Sequence, residues 1–340
     1  MQVQLVIPGL MWPSEQARGY ADALHLPALT TLLGRASVTR NAPASPERCL
    51  SSVFGLDSST FADAPLRRLG EEDGLRTTEP LLCADPTHLH FSRDHLLLAD
   101  ASELEIHPEE AAALVAALND TFADVGHFEA VTPTHWYLAP KGNPQVRFAS
   151  LGDATSRPVA FFMPEGDDAR LWERTANEIQ VFLHNHAINA ERERRGLRAI
   201  NSVWFWGLGC LPGLLEAPAQ LLVMSSTHGR GLARAAGLEP VEAARWSDLP
   251  PADSVLLELD MLLGPSRYMD ISRWHDALHR LETDWCAPVL DALRSRRISR
   301  LIITLPDERG SRELNLTPTR LLQFWRKVES LEAFTILQYL

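Results

Sequence analysis

The acidic pair Asp307 and Glu308 directly follows a short apolar run in the segment "LIITLPDERG", residues 301–310. The run predicts a buried strand, which would place both carboxylates at its carboxyl end. Carboxylate oxygens are ligands that hard cations prefer, and strand ends of parallel sheets are common ligand sites. Acids also serve as ordinary turn and helix-cap residues after a strand. The segment therefore predicts either a metal site or a turn.

A second polar group precedes the apolar segment "SVWFWG" and lies in "NAERERRGLRAIN", residues 189–201. An arginine guanidinium forms paired hydrogen bonds with phosphate or carboxylate groups, so these donors predict an anion-binding cleft. The alternative is a solvated helix end whose basic residues complement the helix dipole. The candidate anion ligands are Asn189, Arg192, Arg195, Arg198 and Asn201.

Three histidines, His88, His90 and His95, occur in "PTHLHFSRDH". On a strand, His88 and His90 project from the same face, an arrangement that suits a metal ion. No acid or cysteine partner is evident beside them. A polar hairpin surface explains these histidines equally well.

Strand and helix patterns must position these groups. The segments "VQLVIPG", "INSVWFWG", "QLLVMSS", "SVLLELD" and "RLIITLP" are short and nearly all apolar, which is typical of parallel strands buried on both faces. Helical patterns separate the later ones. We predict an α/β core from residues 1–60 and 201–340, with an α+β cap and a long connecting helix inserted at residues 61–200.

Composition excludes several classes of protein. The 340 residues carry 32 basic and 44 acidic side chains, a net charge of −12, which argues against binding nucleic acid. The amino-terminal apolar run lacks a preceding basic region, and no apolar run approaches the roughly 20 residues of a membrane helix. The four cysteines show no CxxC spacing. We expect a cytoplasmic protein with neither nucleic acid nor membrane among its partners.

Several segments together resemble a known family. They include "LPALTTLLGRA", "HAINAERERRGLRAINSVWFWGLG", "THGRGLARAAGLEP" and "LIITLPDERG". The chain resembles the archaeal-type cofactor-independent phosphoglycerate mutases of the alkaline-phosphatase superfamily, and most closely a bacterial branch of RpfE-type regulatory proteins. The resemblance implies an alkaline-phosphatase-like core with an inserted cap.

The resemblance also implies a mechanism in which two divalent ions hold a serine or threonine nucleophile. It places the nucleophile near Ser45, which a Ser-Pro start also explains as a helix cap. Where it implies an Asp after the first strand, the sequence has Pro8, and where it implies two His ligands, Tyr268 and Glu308 stand. The acids remaining near the implied metal positions are Asp260, Asp270, Asp307 and Glu308.

These departures predict a mutase-like protein with a depleted metal site, acting as a noncatalytic regulatory or ligand-sensing protein. We expect no cofactor, a small phosphorylated or carboxylate ligand, and a protein partner. One alternative is an active phosphoryl-transfer enzyme, a mutase or phosphatase, in which the four acids hold Mg²⁺ or Mn²⁺. Another is an interaction module without a ligand. The sequence leaves open whether the chain is an enzyme, and it favours a degenerate member of the mutase family over an active isomerase.

Overall fold

The computed structural model describes residues 1–11, 24–57, 62–155, 157–307, 309–323 and 331. Its strands are β1 (Gln2–Val6), β2 (Ser37–Arg40), β3 (Leu81–Ser92), β4 (His95–Ala99), β5 (Gly126–Ala130), β6 (Trp136–Pro140), β7 (Ser202–Gly209), β8 (Leu221–Val223), β9 (Ser254–Glu258), β10 (Arg300–Leu305) and β11 (Arg312–Leu316). Its α-helices are α1 (Pro27–Arg35), α2 (Pro46–Val53), α3 (Asp63–Leu69), α4 (Pro108–Thr121), α5 (Leu151–Ala154), α6 (Ala169–His184), α7 (Ala187–Arg194), α8 (Thr227–Ala235), α9 (Leu263–Arg267), α10 (Ile271–Leu281), α11 (Ala287–Arg294) and α12 (Pro318–Leu321).

The chain divides into two units. The first, which we call the core unit, consists of Met1–Ser58 and Leu214–Leu340, and the second, the cap unit, consists of Ser59–Gly213. The cap unit is thus an insertion in the sequence of the core unit. Among the described residues, no helix is long and apolar enough to cross a bilayer.

A six-stranded sheet forms the centre of the core unit, in the order β2-β11-β10-β1-β9-β8. Strand β1 lies between β9 and β10 and runs parallel to both, so that Leu5 pairs with Leu257 on one side and Ile303 on the other. Only β11 runs antiparallel to its neighbours. The predicted α/β fold with a mainly parallel sheet is confirmed.

The apolar faces of the surrounding helices bury the core of this unit. The cluster combines strand residues such as Leu5 and Leu257 with helix residues of α1, α10 and the turn that follows α10. Spacing by three and four residues places Trp274, Leu278 and Leu281 on one buried side of α10. This packing fixes the strands whose ends carry the candidate site.

The cap unit contains a separate sheet in the order β4-β3-β6-β5, with β7 also paired to β3. Helices α4 and α6 contribute Leu114, Leu118 and Ile179 to its main apolar cluster, together with Trp136 and Phe205 from the strands. The hairpin suggested for the segment that holds His88, His90 and His95 is present as β3 and β4, which pair antiparallel.

The sequence prediction for β7 was wrong. The segment "SVWFWG" was expected in the parallel core sheet, but β7 pairs antiparallel with β3 in the cap unit. Its apolar composition has a local cause, since Phe205 packs against Trp172 of α6 while Trp206 faces Arg67 of α3. A strand buried on both faces gives the same apolar pattern in either sheet. The unit boundary accordingly lies after Gly213 rather than at residue 200.

The long connecting helix predicted in the cap is two helices. Helix α6 ends at His184, and His186 begins α7 by accepting a hydrogen bond from the Ile188 amide. A side chain that accepts this bond at a helix start stabilises a new helix rather than a continuation.

Candidate functional site

The carboxyl ends of β1, β8, β9 and β10 meet at one edge of the core-unit sheet, because these strands are parallel. In open α/β sheets this edge is the usual place for a ligand. The polar groups of the core unit gather there, after Val223 of β8 and at Glu258 of β9.

Glu258 is the last residue of β9 and is buried. Its Oε2 accepts a hydrogen bond of 3.0 Å from the Ser226 amide. A Cβ built on Gly229 would lie 2.3 Å from this oxygen, so the glycine allows α8 to approach the carboxyl group. Burial raises the pKa of Glu258 to about 7, and hydrogen bonds from Ser226 oppose the rise. A substantial part of this carboxyl group is therefore protonated at neutral pH.

A serine–histidine pair lies in the same unit. The Ser51 hydroxyl on α2 is 2.9 Å from Nε2 of His228, in the first turn of α8. Both side chains are buried, with Ser51 at 1% exposure. A hydroxyl next to an imidazole can be activated as a nucleophile, but only where a substrate can reach it. In this conformation the pair connects the two helices.

A cavity of about 550 Å³ adjoins the ends of β8 and β9. Its wall is partly apolar, with Val223, Leu259 and Trp285, and includes the side chains of Arg230 and Arg280. The guanidinium of Arg230 donates to the Ser225 carbonyl at 3.0 Å and to the Thr227 hydroxyl at 2.9 Å, within its own turn. Arg280 is exposed, and its guanidinium forms no hydrogen bond or ion pair with another described residue. Among the described residues that line the cavity, Arg280 is thus a cation without a described partner, and Glu242, Asp248, Glu258 and Asp260 add four carboxyl groups to the lining.

The four acids predicted as metal ligands occupy different environments. Asp260 follows β9 and lines the cavity. Asp270 is the N-cap of α10, where its carboxylate accepts the Arg273 amide at 3.0 Å. Asp307 accepts the Arg309 amide at 2.7 Å and also faces the Arg309 guanidinium. Glu308 lies outside the described residues.

The predicted nucleophile caps a helix. Ser45 stands at the N-cap of α2 and its hydroxyl accepts the Arg48 amide at 3.3 Å. Tyr268, at a position where the resemblance implies a histidine, ends α9. Within the described ranges, no three His, Cys, Asp or Glu side chains are grouped so that they could hold a metal ion.

The predicted anion cluster lies in the cap unit, and its centre is structural. Arg192 is fully buried, and its guanidinium donates to the Arg198 carbonyl at 2.9 Å, to the Leu104 carbonyl and to the Glu110 carboxylate. Each of its three nitrogens thus has a partner inside the protein. The structure does not support the expected exposure of Arg192 to a cleft.

The two asparagines also bind backbone. The Asn189 side chain donates to the Leu183 and Ile200 carbonyls and accepts the Ile200 amide. Asn201 forms a reciprocal pair with the backbone of Leu89, at 2.7 and 2.9 Å. Such bonds satisfy buried backbone groups and leave these amides little capacity for a ligand.

Arg195 and Arg198 remain about half exposed. Arg195 lies 3.8 Å from Glu110 and Arg198 lies 3.4 Å from Glu103. Two half-exposed, ion-paired guanidinium groups make a weak anion site by comparison with the predicted five-residue cluster. The helix-end alternative fits this segment better than the cleft.

Three functional candidates were missed from the sequence, namely Ser51, His228 and Glu258. Glu258 ends the predicted strand "SVLLELD", and His228 stands two residues after Ser226 at a strand-to-helix turn, so both had a positional signal. Ser51 had none, because only the packing of α2 against α8 brings it to the histidine.

No family model matches the chain. The 2,3-bisphosphoglycerate-independent phosphoglycerate mutase 2 of Methanothermobacter thermautotrophicus is 26% identical over 169 residues, which covers 47% of the chain and 40% of that enzyme. The 2,3-bisphosphoglycerate-independent phosphoglycerate mutase of Methanothrix thermoacetophila is 31% identical over 62 residues, or 18% of the chain and 16% of that enzyme. These similarities support a distant relationship to the cofactor-independent phosphoglycerate mutases.

The match to these mutases spans less than half of either relative. Among solved structures, the PH0037 protein from Pyrococcus horikoshii superposes with a TM-score of 0.50 at 15% identity, covering 93% of this chain and 87% of that one. At this identity the likeness concerns the fold alone.

Proposed function

We propose that this chain is a phosphoglycerate mutase-like protein that binds a small phosphorylated or carboxylate ligand and does not perform two-metal phosphoryl transfer. It would act as a regulatory or ligand-sensing protein of the RpfE-type branch, in the cytoplasm and with a protein partner. The distant similarity to the mutases supports the ancestry, and the carboxyl edge of the core-unit sheet supports the place of the site.

The observation that carries the proposal is which residues occupy the implied catalytic positions and what those residues bind. Two-metal chemistry needs a dense set of Asp and His ligands around both ions. Here Pro8 and Tyr268 have no carboxylate or imidazole to offer, while Asp270 and Asp307 are bound to Arg273 and Arg309. Among the described residues, the groups at these implied positions do not offer the ligand set of a two-metal centre, which supports the proposal.

Ligand binding would rest on the cavity beside β8 and β9. Arg280 provides a cation without a described partner, and a charge-assisted hydrogen bond to an anion contributes about 1.5–3 kcal/mol. The apolar wall around Trp285 would accept the carbon portion of a small ligand. A phosphate or carboxylate on a small carbon skeleton would use both surfaces by binding at Arg280, away from the four carboxyl groups of the lining.

Metal analysis and a mutase assay test the loss of two-metal chemistry. We expect the purified protein to carry no stoichiometric Mn²⁺ or Zn²⁺ and to convert no 3-phosphoglycerate in added Mn²⁺ or Mg²⁺. Elemental analysis by mass spectrometry and a coupled assay provide the two readouts. Two bound ions per chain, or turnover that EDTA abolishes, would contradict the proposal.

Ligand binding is tested separately by calorimetry with 3-phosphoglycerate and inorganic phosphate at low salt. We expect Arg280→Gln to weaken binding of the better ligand roughly tenfold, because it removes one charge-assisted contact. The matched control is Arg273→Gln, an exposed arginine of the same helix that does not line the cavity. Equal affinity of the two variants for the ligand would show that the ligand does not bind at Arg280 in the cavity.

An active phosphoryl-transfer enzyme is the second candidate, and the Ser51–His228 hydrogen bond is the observation that favours it. Ser51 lies on α2, the helix on which the resemblance places the nucleophile. If the purified protein hydrolyses or transfers phosphoryl groups, Ser51→Ala should abolish that activity while Ser45→Ala leaves most of it. If Ser45→Ala abolished the activity and Ser51→Ala retained most of it, the nucleophile would be Ser45.

A further inference from the structure

Two histidine rings lie side by side on one face of the cap-unit hairpin. His88 and His90 are two residues apart on β3, so their side chains project from the same face of the strand. Their ring centroids are 5.6 Å apart and their planes differ by 16°. Both side chains are half-buried, which brings two imidazole groups together without placing either in the apolar cluster.

A backbone carbonyl fixes the tautomer of His88. Its Nδ1 lies 2.8 Å from the Ala199 carbonyl oxygen, which can only accept, so Nδ1 carries the hydrogen. In the neutral ring the lone pair is then on Nε2. A neutral imidazole whose other nitrogen binds a carbonyl is the usual state of a metal-ligating histidine.

His90 has an unsatisfied nitrogen. Its Nδ1 is buried and has no hydrogen-bond partner among the described residues. Buried polar atoms without a partner are uncommon in native proteins and call for an explanation such as a bound ion. No hydrogen bond joins this nitrogen to the His88 ring, which lies stacked beside it.

We infer that His88 and His90 form a binding site for a late divalent transition metal ion, with Cu²⁺ bound more tightly than Ni²⁺ or Zn²⁺. Imidazole suits these ions, whereas Mg²⁺ and Ca²⁺ prefer oxygen ligands. The described residues place no third protein ligand in the group, so water completes the coordination. The site is separate from the cavity in the core unit and independent of the function proposed for it.

The charged groups that act on the His88 ring come from α7 and from the segment that follows it. Glu193 favours a positive charge at this place, and Arg198 opposes it. Metal binding turns the His90 ring toward Nε2 of His88, which the soft χ2 torsion of histidine permits, while Ala199 holds the His88 ring in place.

The test titrates the full-length, tag-free protein with Cu²⁺ in a non-coordinating buffer and follows binding by calorimetry and electron paramagnetic resonance. We expect one ion per chain with micromolar affinity and a spectrum that shows two nitrogen ligands. His88→Ala and His90→Ala should each weaken binding by roughly tenfold or more, because each removes a ligand.

His95→Ala is the matched control, since this exposed histidine belongs to the same hairpin and lies outside the pair. It should leave the affinity unchanged. His90→Gln, which retains a polar side chain, shows by its thermal unfolding whether a loss of binding reflects a loss of folding. Binding that survives both His88→Ala and His90→Ala, or no binding in the folded wild type at micromolar Cu²⁺, would overturn the inference.

Discussion

Burial mainly determines the charge state and the hydrogen-bond partners of individual polar side chains in this protein. Arg67 shows the favourable case, because its guanidinium forms two hydrogen bonds of 2.6 and 2.8 Å with the buried Asp85 carboxylate. Trp206 donates to the same carboxylate at 2.8 Å, and Tyr137 accepts from Arg67 at 3.0 Å. A buried charge with partners on every side is retained, whereas one without a counter-charge changes its protonation.

The buried carboxyl group of Glu258 has no counter-charge among the described residues, and we therefore predict that the stability of the protein depends on pH. The pKa of Glu258 is about 7 in the folded protein against an ordinary value of 4.5, so the folded state binds more protons between these values. The free energy of unfolding therefore falls as pH rises from 4.5 to 7. We expect Glu258→Gln, which keeps an acceptor for the Ser226 amide, to become more stable relative to wild type by roughly 2–3 kcal/mol between pH 5 and pH 8.

Chemical denaturation at four pH values between 5 and 8 measures this effect. Glu242→Gln is the control, because Glu242 lines the same cavity but is exposed. Wild type and Glu258→Gln should differ in their pH slopes, while wild type and Glu242→Gln should not. Parallel slopes for all three proteins would show that Glu258 is ionised in the folded state.

At the scale of elements, a distant carboxylate decides how α1 begins. The residue at its N-cap is Leu26, which has no side-chain acceptor. Glu282 fills this place, since its two oxygens accept the amides of Ala28 and Leu29 at 2.7 and 2.8 Å. A negative charge at a helix amino terminus is favourable both as a hydrogen-bond acceptor and toward the dipole.

The geometry that delivers Glu282 comes from a break in helix regularity. The turn Glu282–Cys286 is a π-helix between α10 and α11, and Pro288 follows it. Proline has no amide hydrogen, so a regular α-helix through this point would lose a hydrogen bond. The sequence predicts the long helical segment, but it does not show that a wider turn within it turns Glu282 toward α1.

The same limit explains what the sequence predicted and what it missed. Apolar runs such as "VLLEL" and "LIITL" predicted buried strands correctly, because burial on both faces leaves a composition that can be recognised locally. The apolar composition of a run did not show which sheet the strand joins, as β7 demonstrates. The sequence showed that Arg192 belongs to a group of hydrogen-bond donors. It did not show that the carbonyls of Leu104 and Arg198 accept the hydrogen bonds of this arginine.

For the whole molecule, topology fixes the place of the candidate site, because a set of parallel strands creates one edge where polar residues can converge. Asp260 was expected from the family resemblance as an acid near an implied metal position, and the structure places it in the cavity lining at this edge. The pairing of Ser51 with His228 joins residues 177 positions apart, and no spacing rule reaches that distance.

The apolar interior of the molecule is divided between the two units, and this predicts separate local responses to core mutations. Among the described residues, every member of the apolar cluster around Leu278 belongs to the core unit, and every member of the clusters around Leu138 and around Tyr137 belongs to the cap unit. Leu278 and Leu138 are both completely buried, one in each unit. We expect either Leu→Ala change to destabilise its own unit by about 2–5 kcal/mol, since each leaves a cavity.

Hydrogen exchange measured by mass spectrometry distinguishes the units, because amide protection follows local as well as global opening. Leu278→Ala should accelerate exchange in β1, β9 and β10 and leave β3 and β6 close to wild type. Leu138→Ala should produce the opposite pattern. The two variants exchange one residue type for another at equal burial, so each serves as the other's control. Uniform acceleration across both units in either variant would mean that the two apolar interiors open together, and that the insertion is part of a single cooperative structure.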